Sequence, residues 1–173
     1  MTWRRAATYW ACFLALLAFY LVSVREEPPP PAAHLNRAAF LDLGEADVTG
    51  LEVRRGDAVV RCQRANGRWE VTGPKQGHTP PDLIAALVSN LTELRDVEVV
   101  DEGSGDLASF GLDPPLSLMV LSRSGGPPIE LRLGARNPAG TAIYGQHTGS
   151  PRVYLVGLNI RYYEDLLLES VRR

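Results

Sequence analysis

The stretch from residue 79 to residue 95 most constrains the fold, because its apolar residues repeat unambiguously with the period of a helix. Thr79 is a candidate N-cap, and Pro80 and Pro81 suit a first helical turn, where the missing backbone N–H costs nothing. Such a stripe must pack on an apolar surface, and strand-like runs flank it on both sides. The stripe consists of Leu83, Ile84, Leu87, Val88, Leu91 and Leu94.

Runs in which apolar and polar residues alternate predict short strands before and after this helix. Asn66-Gly67 predicts a tight hairpin turn between two of them, with Trp69 and Val71 facing the core. A second amphipathic run over residues 159–170 predicts a C-terminal helix. The predicted strands are residues 48–55, 58–64, 68–71, 97–100, 116–121, 129–133, 142–147 and 153–156.

The N-terminus contains an uncharged, apolar run over residues 6–24, preceded by Arg4 and Arg5. A helix of about 19 residues is about 28 Å long, which is close to the thickness of the bilayer core. The two arginines favour a cytoplasmic N-terminus and an extracytoplasmic remainder. We therefore predict a single-pass protein of a bacterial inner membrane. A cleaved signal peptide or twin-arginine export is the alternative, although the apolar core of a signal peptide is usually shorter.

These patterns divide the chain into three parts. Residues 1–25 are the cytoplasmic tip and membrane anchor, residues 26–40 are a linker stiffened by four prolines, and residues 41–173 are the extracytoplasmic domain. The last part is large enough to bury a core. The predicted fold class is α+β, with a largely antiparallel sheet of short strands packed on one central helix plus a C-terminal helix, preceded by one transmembrane helix.

Charge argues against a nucleic-acid-binding protein, and the positions of the cysteines argue against a fold stabilised by a disulfide. The formal net charge is −2, whereas nucleic-acid-binding domains usually carry a strongly basic face, so we predict no nucleic-acid partner. Cys12 and Cys62 lie on opposite sides of the predicted membrane boundary, so an internal disulfide is not expected.

The sequence contains few candidate catalytic or metal-binding residues. No nucleophile elbow, metalloprotease helix or Cys-x-x-Cys pair occurs. We predict that the protein is not an enzyme and carries no cofactor or metal. An enzyme is the least favoured hypothesis, and its best candidate residues are His78, His147 and Asp106.

Arginines cluster on the first three predicted strands. They are a candidate surface for a ligand or an acidic partner, and a simple solvated sheet face is the alternative. The candidate residues are Arg54, Arg61, Arg64 and Arg68.

Several short elements together resemble the bacterial family catalogued as domain of unknown function 4340. They are Gly67-Arg68-Trp69 with Pro74, the helix end at residues 90–94, Phe110-Gly111-Leu112-Asp113-Pro114, Leu131-Arg132-Leu133-Gly134, Tyr144, and Val153-Tyr154-Leu155-Val156. The resemblance covers residues 48–156. It implies one N-terminal transmembrane helix and an association with ABC-type export systems of the gliding-motility type, and it carries over no catalytic residue. The residues themselves suit structural roles, because Gly111 tolerates a positive φ, Pro114 ends the turn and Trp69 anchors the sheet.

Two functions are therefore expected. The first is a membrane-anchored, non-catalytic accessory or interaction domain of a bacterial envelope complex linked to an ABC-type transporter, with protein partners. The alternative is a periplasmic module that binds a small molecule or a glycan. In that case Trp69, Tyr144 and the loop from Gly111 to Pro114 would line the site.

Overall fold

A computed structural model describes residues 3–26, 36–74, 78–103 and 105–172. The chain divides into two compact units, Met1–Leu35 and Asn36–Arg173. The first unit contains one helix, α1 (Trp3–Glu26). Within the described ranges, no helix combines the length and the hydropathy needed to cross a membrane. The predicted transmembrane helix is therefore not confirmed.

The second unit is a nine-stranded sheet with two helices. A short 3-10 helix, Glu45–Asp47, precedes the second strand. The elements are β1 (Arg37–Ala38), β2 (Val48–Arg55), β3 (Ala58–Ala65), β4 (Arg68–Gly73), α2 (Pro81–Thr92), β5 (Val97–Asp101), β6 (Ser117–Arg123), β7 (Ile129–Arg136), β8 (Ala142–His147), β9 (Val153–Gly157) and α3 (Leu158–Ser170).

The strand order is β1-β5-β9-β8-β7-β6-β2-β3-β4, and each neighbouring pair is antiparallel. The sheet thus contains two meanders, β2-β3-β4 and β6-β7-β8-β9, whose first strands pair with each other, and β5 and β1 extend it beyond β9. This confirms the predicted antiparallel sheet. The hairpin between β3 and β4 turns at Asn66 and Gly67 with φ of +52° and +78°, as expected for a type I′ turn.

Two helices cover the inner face of the sheet. Helix α2 packs on α3 and β4, and α3 also packs on β3, β8 and β9. The predicted C-terminal helix is present as α3, whereas the predicted central position of the first helix of this unit is not confirmed. The physical reason is that both helices carry an apolar stripe, and the two stripes share one core. Its helical members include Ile84, Leu87, Val88, Leu91, Ile160, Leu167 and Leu168.

The start of α2 differs from the prediction. Pro80 occupies the N-cap position, and the Thr79 hydroxyl instead forms a hydrogen bond of 2.6 Å with the Ser170 hydroxyl at the end of α3. The helix ends at Thr92, so Leu94 lies beyond it but still packs on the core. The Thr79 side chain therefore links the start of α2 to the end of α3 instead of capping α2.

The compact unit begins at Asn36, inside the segment predicted to be linker. Arg37 and Ala38 pair with β5 as an edge strand. Phe40 is fully buried, and its ring lies edge-on to Tyr154 at a centroid distance of 5.3 Å. Residues 36–40 therefore belong to the domain, because burying the phenylalanine side chain is favourable in free energy. The four prolines of the linker lie outside the described residues.

Candidate functional site

The loop between β5 and β6 contains the Gly-Leu-Asp-Pro element and lies against β7 and β8. Gly111 adopts a φ of +67°, in the left-handed region that favours glycine. The Ala135 amide donates a hydrogen bond of 2.9 Å to the Phe110 carbonyl. Pairing of β7 with β8 is irregular between Leu133 and Arg136, which opens the strand to this contact.

Glycine is required at position 134 by the same contact. A Cβ at Gly134 would overlap the Phe110 carbonyl oxygen and touch the backbone of Gly111. The Phe110 ring also packs on Tyr144 at a centroid distance of 4.8 Å. Four residues of the family resemblance therefore contact one another, and they are Phe110, Gly111, Gly134 and Tyr144.

Leu112 is fully buried, yet it does not belong to the main core cluster. Tyr144 lies opposite Leu155 in the β8–β9 ladder, on the face directed away from the core residues Tyr154 and Val156. The loop thus covers part of the outer face and forms a second, smaller apolar contact there. Asp113 and Pro114 are exposed beside it.

Trp69 lies on the other face of the sheet. It is 3% exposed in the core beneath the helices, and its Nε1 has no hydrogen-bond acceptor among the described residues. Trp69 and Tyr144 therefore do not line a common site with residues 111–114, as the glycan-binding alternative required. The physical reason is strand alternation, which directs these two aromatic side chains to opposite faces.

Pro74 and Tyr154 are also separated from the loop. Pro74 follows β4 and lines an open cleft of about 650 Å³ with Asp57, Arg61 and Arg172. The Tyr154 hydroxyl hydrogen-bonds the Ser150 hydroxyl at 3.1 Å, and its ring packs in the core.

Three of the four candidate arginines have partners. Arg54 and Arg61 both contact the carboxylate of Glu52, Arg61 at 2.9 Å. Arg64 donates a hydrogen bond of 3.4 Å to the Glu45 carbonyl, and it faces the core side of the sheet beside Trp69. The predicted four-arginine surface is therefore not formed, because Arg64 alternates with Arg61 along β3.

Glu52 offsets part of the positive charge of Arg54 and Arg61 on the outer face. Burial opposes its ionisation, yet the hydrogen bonds and positive charges of Arg54 and Arg61 together hold the pKa of Glu52 below its ordinary value. It is therefore a firm anion at neutral pH. In contrast, Arg68 is exposed and has no ion-pair partner within the described ranges.

A shallow groove of about 360 Å³ runs over β2, β3 and β6 on the outer face. Gly50 forms part of its floor, and a Cβ there would touch the Ser122 side chain. Donors and acceptors from Glu52, Arg61 and Gln63 line it. The groove is thus polar and accessible.

A buried ionic cluster, missed by the sequence analysis, joins α3 to the sheet. Glu164 is fully buried, and one carboxylate oxygen accepts a hydrogen bond of 2.8 Å from Arg161. Arg161 also donates 3.1 Å bonds to the Ser117 hydroxyl and the Gly134 carbonyl. The other oxygen of Glu164 has no hydrogen-bond partner among the described residues and lies 3.8 Å from Arg55.

Burial raises the pKa of Glu164, although the charge of Arg161, a hydrogen bond with Ser117 and the charge of Arg55 oppose the increase. A signal was present in the sequence, because Glu164 falls on the helical stripe of Ile160 and Leu167. The cluster fixes the position of α3 and shares Gly134 with the family-like loop.

Two of the three residues considered for catalysis have partners in the fold, and the third, His78, is exposed before α2. The His147 ring contacts the rings of Phe40 and Tyr154, and its Nδ1 lies 2.9 Å from the Thr148 carbonyl. The Asp106 carboxylate accepts a hydrogen bond from the Ser109 amide. In the part of the chain that the structure describes, no three acidic, histidine or cysteine side chains are placed to hold a metal ion.

Comparison with known proteins gives a family for this chain. The family model described as Domain of unknown function (DUF4340) matches residues 69–172. The match begins at Trp69 and extends through α3, whereas the resemblance of the short sequence elements covers residues 48–156. No curated protein and no solved structure matches the chain. Because the family model covers more than half of the 173 residues, the chain belongs to the DUF4340 family.

Proposed function

We propose that this protein is a non-catalytic accessory domain of a bacterial envelope complex, held at the inner membrane by α1 and associated with an ABC-type transporter. The extracytoplasmic sheet domain contacts the protein partners, and α1 keeps it close to them. The observation that carries the proposal is the surface of α1. A helix that exposes this much apolar area is typical of a segment buried in a membrane or against another protein.

The exposed side chains of α1 are large as well as apolar. Several are aromatic, including Tyr9, Trp10 and Tyr20, which suit the boundary between lipid and water. The uncharged run of residues 6–24 continues this surface along the sequence. The exposed residues are Trp3, Tyr9, Trp10, Phe13, Leu14, Leu16, Leu17, Phe19, Tyr20 and Leu21.

Membrane fractionation tests the anchor. Full-length protein is expected in the membrane pellet after a carbonate wash, and Leu14→Glu together with Leu17→Glu is expected to release a large share of it, because charged residues are costly in lipid. Leu116→Glu, at an exposed leucine of the second unit, is the matched control and is expected to stay in the pellet. Equal retention of all three proteins would contradict anchoring by α1.

Copurification tests the complex. The full chain, extracted in mild detergent and cross-linked in intact cells, is expected to bring down a defined set of envelope proteins that includes transporter subunits. A protein that is repeatedly recovered without partners would contradict an accessory role.

A second candidate is a module that binds a polar small molecule or glycan. The observation that favours it is the groove over β2, β3 and β6, whose lining offers several hydrogen-bonding side chains. A thermal-shift screen with monosaccharides and oligosaccharides tests it, since a ligand of the native state must raise the melting temperature. Gln63→Ala should abolish any such shift, and Arg136→Ala, on an exposed arginine of β7, should not.

A further inference from the structure

The outer edge of β4 offers backbone groups to a further strand. In the second meander the corresponding strand, β8, is covered by the antiparallel strand β9. In the first meander, no described residue pairs with the outer side of β4. By comparison with β8, a strand that joined this edge would be antiparallel to β4.

The geometry of the β3–β4 hairpin determines which backbone N–H and C=O groups of β4 do not pair with β3. Ala65 and Arg68 flank a two-residue turn, so they form the hydrogen-bonded pair next to it. Backbone groups alternate in direction along a strand. Arg68 and Glu70 therefore direct their N–H and C=O groups to β3, whereas those of Trp69 and Val71 point to the free edge.

The usable part of this edge is short. Pairing with β3 jumps from Val71 to Gly73, which leaves Thr72 as an extra residue in β4. Such a bulge bends a strand and interrupts its ladder. A partner strand must therefore be centred on the regular residues 68–71.

Charge identifies the partner strand. Arg68 and Glu70 are both exposed on the outer face, and neither has an ion-pair partner among the described residues. If β4 pairs antiparallel with β4 of a second copy about a two-fold axis at Trp69, Arg68 lies directly opposite Glu70 of the second copy. The two-fold symmetry makes this contact twice, so the edge is complementary to itself.

The other two-fold registers fit less well. Centring on Glu70 places like charges opposite each other, which is destabilising. Centring on Val71 places Gly73, beyond the bulge, opposite Trp69 and leaves the charged pairs unmade.

We infer that β4 is a self-association edge, at which two copies of this chain join their sheets through Trp69, with Arg68 of each copy paired to Glu70 of the other. The contact is small, so the dimer is weak and its population depends on protein concentration. The inference is independent of the proposed transporter complex, because it concerns the sheet edge alone.

Sedimentation velocity of the full chain in detergent, over a concentration series, tests this edge. The wild type is expected to dimerise reversibly. Arg68→Glu and Glu70→Arg each create two like-charge contacts and are expected to lower the association constant about tenfold or more. The double variant R68E/E70R exchanges the partners and is expected to restore it. Arg136→Glu is the charge-matched control and should leave association unchanged.

Each outcome for the wild type, the two single variants and the double variant either supports or overturns the paired edge. A chain that is monomeric at all concentrations overturns the inference. A dimer that is insensitive to the single reversals also overturns it and places association elsewhere, for example on α1. Loss in both single variants without recovery in the double variant excludes the paired register. Circular dichroism of each variant confirms that the exposed substitutions leave the fold intact.

Discussion

Gly134 faces the carbonyl oxygen of Phe110 so closely that any side chain at position 134 would overlap that oxygen. The contact joins the Gly-Leu-Asp-Pro loop to the irregular part of β7. On the opposite side of the strand, the Gly134 carbonyl accepts a 3.1 Å hydrogen bond from Arg161 of α3. One glycine therefore ties the loop on the outer face to the helix on the inner face.

Gly134→Ala is expected to lower the free energy of unfolding by about 1–3 kcal/mol, because the added methyl group must displace loop backbone. Urea unfolding of the full chain, followed by circular dichroism, measures the loss. Gly73→Ala is the control, since a Cβ there meets no atom within 4 Å. Equal stabilities of the two variants would show that the loop moves away without cost.

Leu112→Ala tests the second apolar contact on the outer face. Leu112 is fully buried, so its truncation is expected to cost about 2–5 kcal/mol. Leu116→Ala, at a leucine that is 54% exposed on the same connection, should change stability by no more than about 0.5 kcal/mol. The same urea experiment compares them, and a small loss at Leu112 would mean that the loop is not anchored by this side chain.

Stability is expected to depend on pH through Glu164. Burial raises the pKa of this carboxyl in the folded state, so the native state binds the proton more tightly than the unfolded chain does. Its contribution to stability is fully present below the ordinary pKa of 4.5 and is lost as the pH rises through the folded pKa.

Glu164→Gln removes this titration while keeping the shape of the neutral side chain. Urea midpoints measured from about pH 4 to about pH 8 should fall less steeply for the variant than for the wild type. Glu169→Gln, on the exposed side of the same helix, should keep the wild-type slope. Parallel curves for Glu164→Gln and the wild type would disprove the assigned proton uptake.

Cys62 is expected to resist thiol reagents until the domain unfolds. It is 2% exposed, and burial raises the pKa of its thiol to about 12, so almost no thiolate is present at neutral pH. In a Cys12→Ser background, Ellman's reagent should label Cys62 in urea but not in buffer. Ala65→Cys in a cysteine-free background is the exposed control, and comparable labelling rates in buffer would refute the prediction.

Local signals in the sequence placed most elements correctly. The limits of β2 and β8 agree with those predicted, and the Asn66-Gly67 turn has the predicted geometry. These features depend on side-chain alternation and on the φ angles that neighbouring residues tolerate, both of which are short-range. The apolar stripe of α2 also lies in the core as expected.

Contacts between residues that are far apart in the sequence could not be predicted from local patterns. Thr79 has the chemistry of an N-cap, but Ser170, at the far end of another helix, takes its hydroxyl. Arg64 resembled its neighbours as a surface arginine, and the register of β3 turned it to the inner face. Phe40 lies at the end of the predicted linker, yet β8 and β9 supply the residues that pack on its ring, namely Gly145, His147 and Tyr154.

The sequence by itself determined the antiparallel strands, their turns, the amphipathic helices and the uncharged N-terminal run, because each depends on the spacing of residues a few positions apart. Only the tertiary structure decided that Trp69 and Tyr144 lie on opposite faces, that Glu164 is buried beside Arg161, and that β4 is an open edge. The physical reason is that burial, pairing and exposure depend on which strands become neighbours, and that choice is made by the whole core.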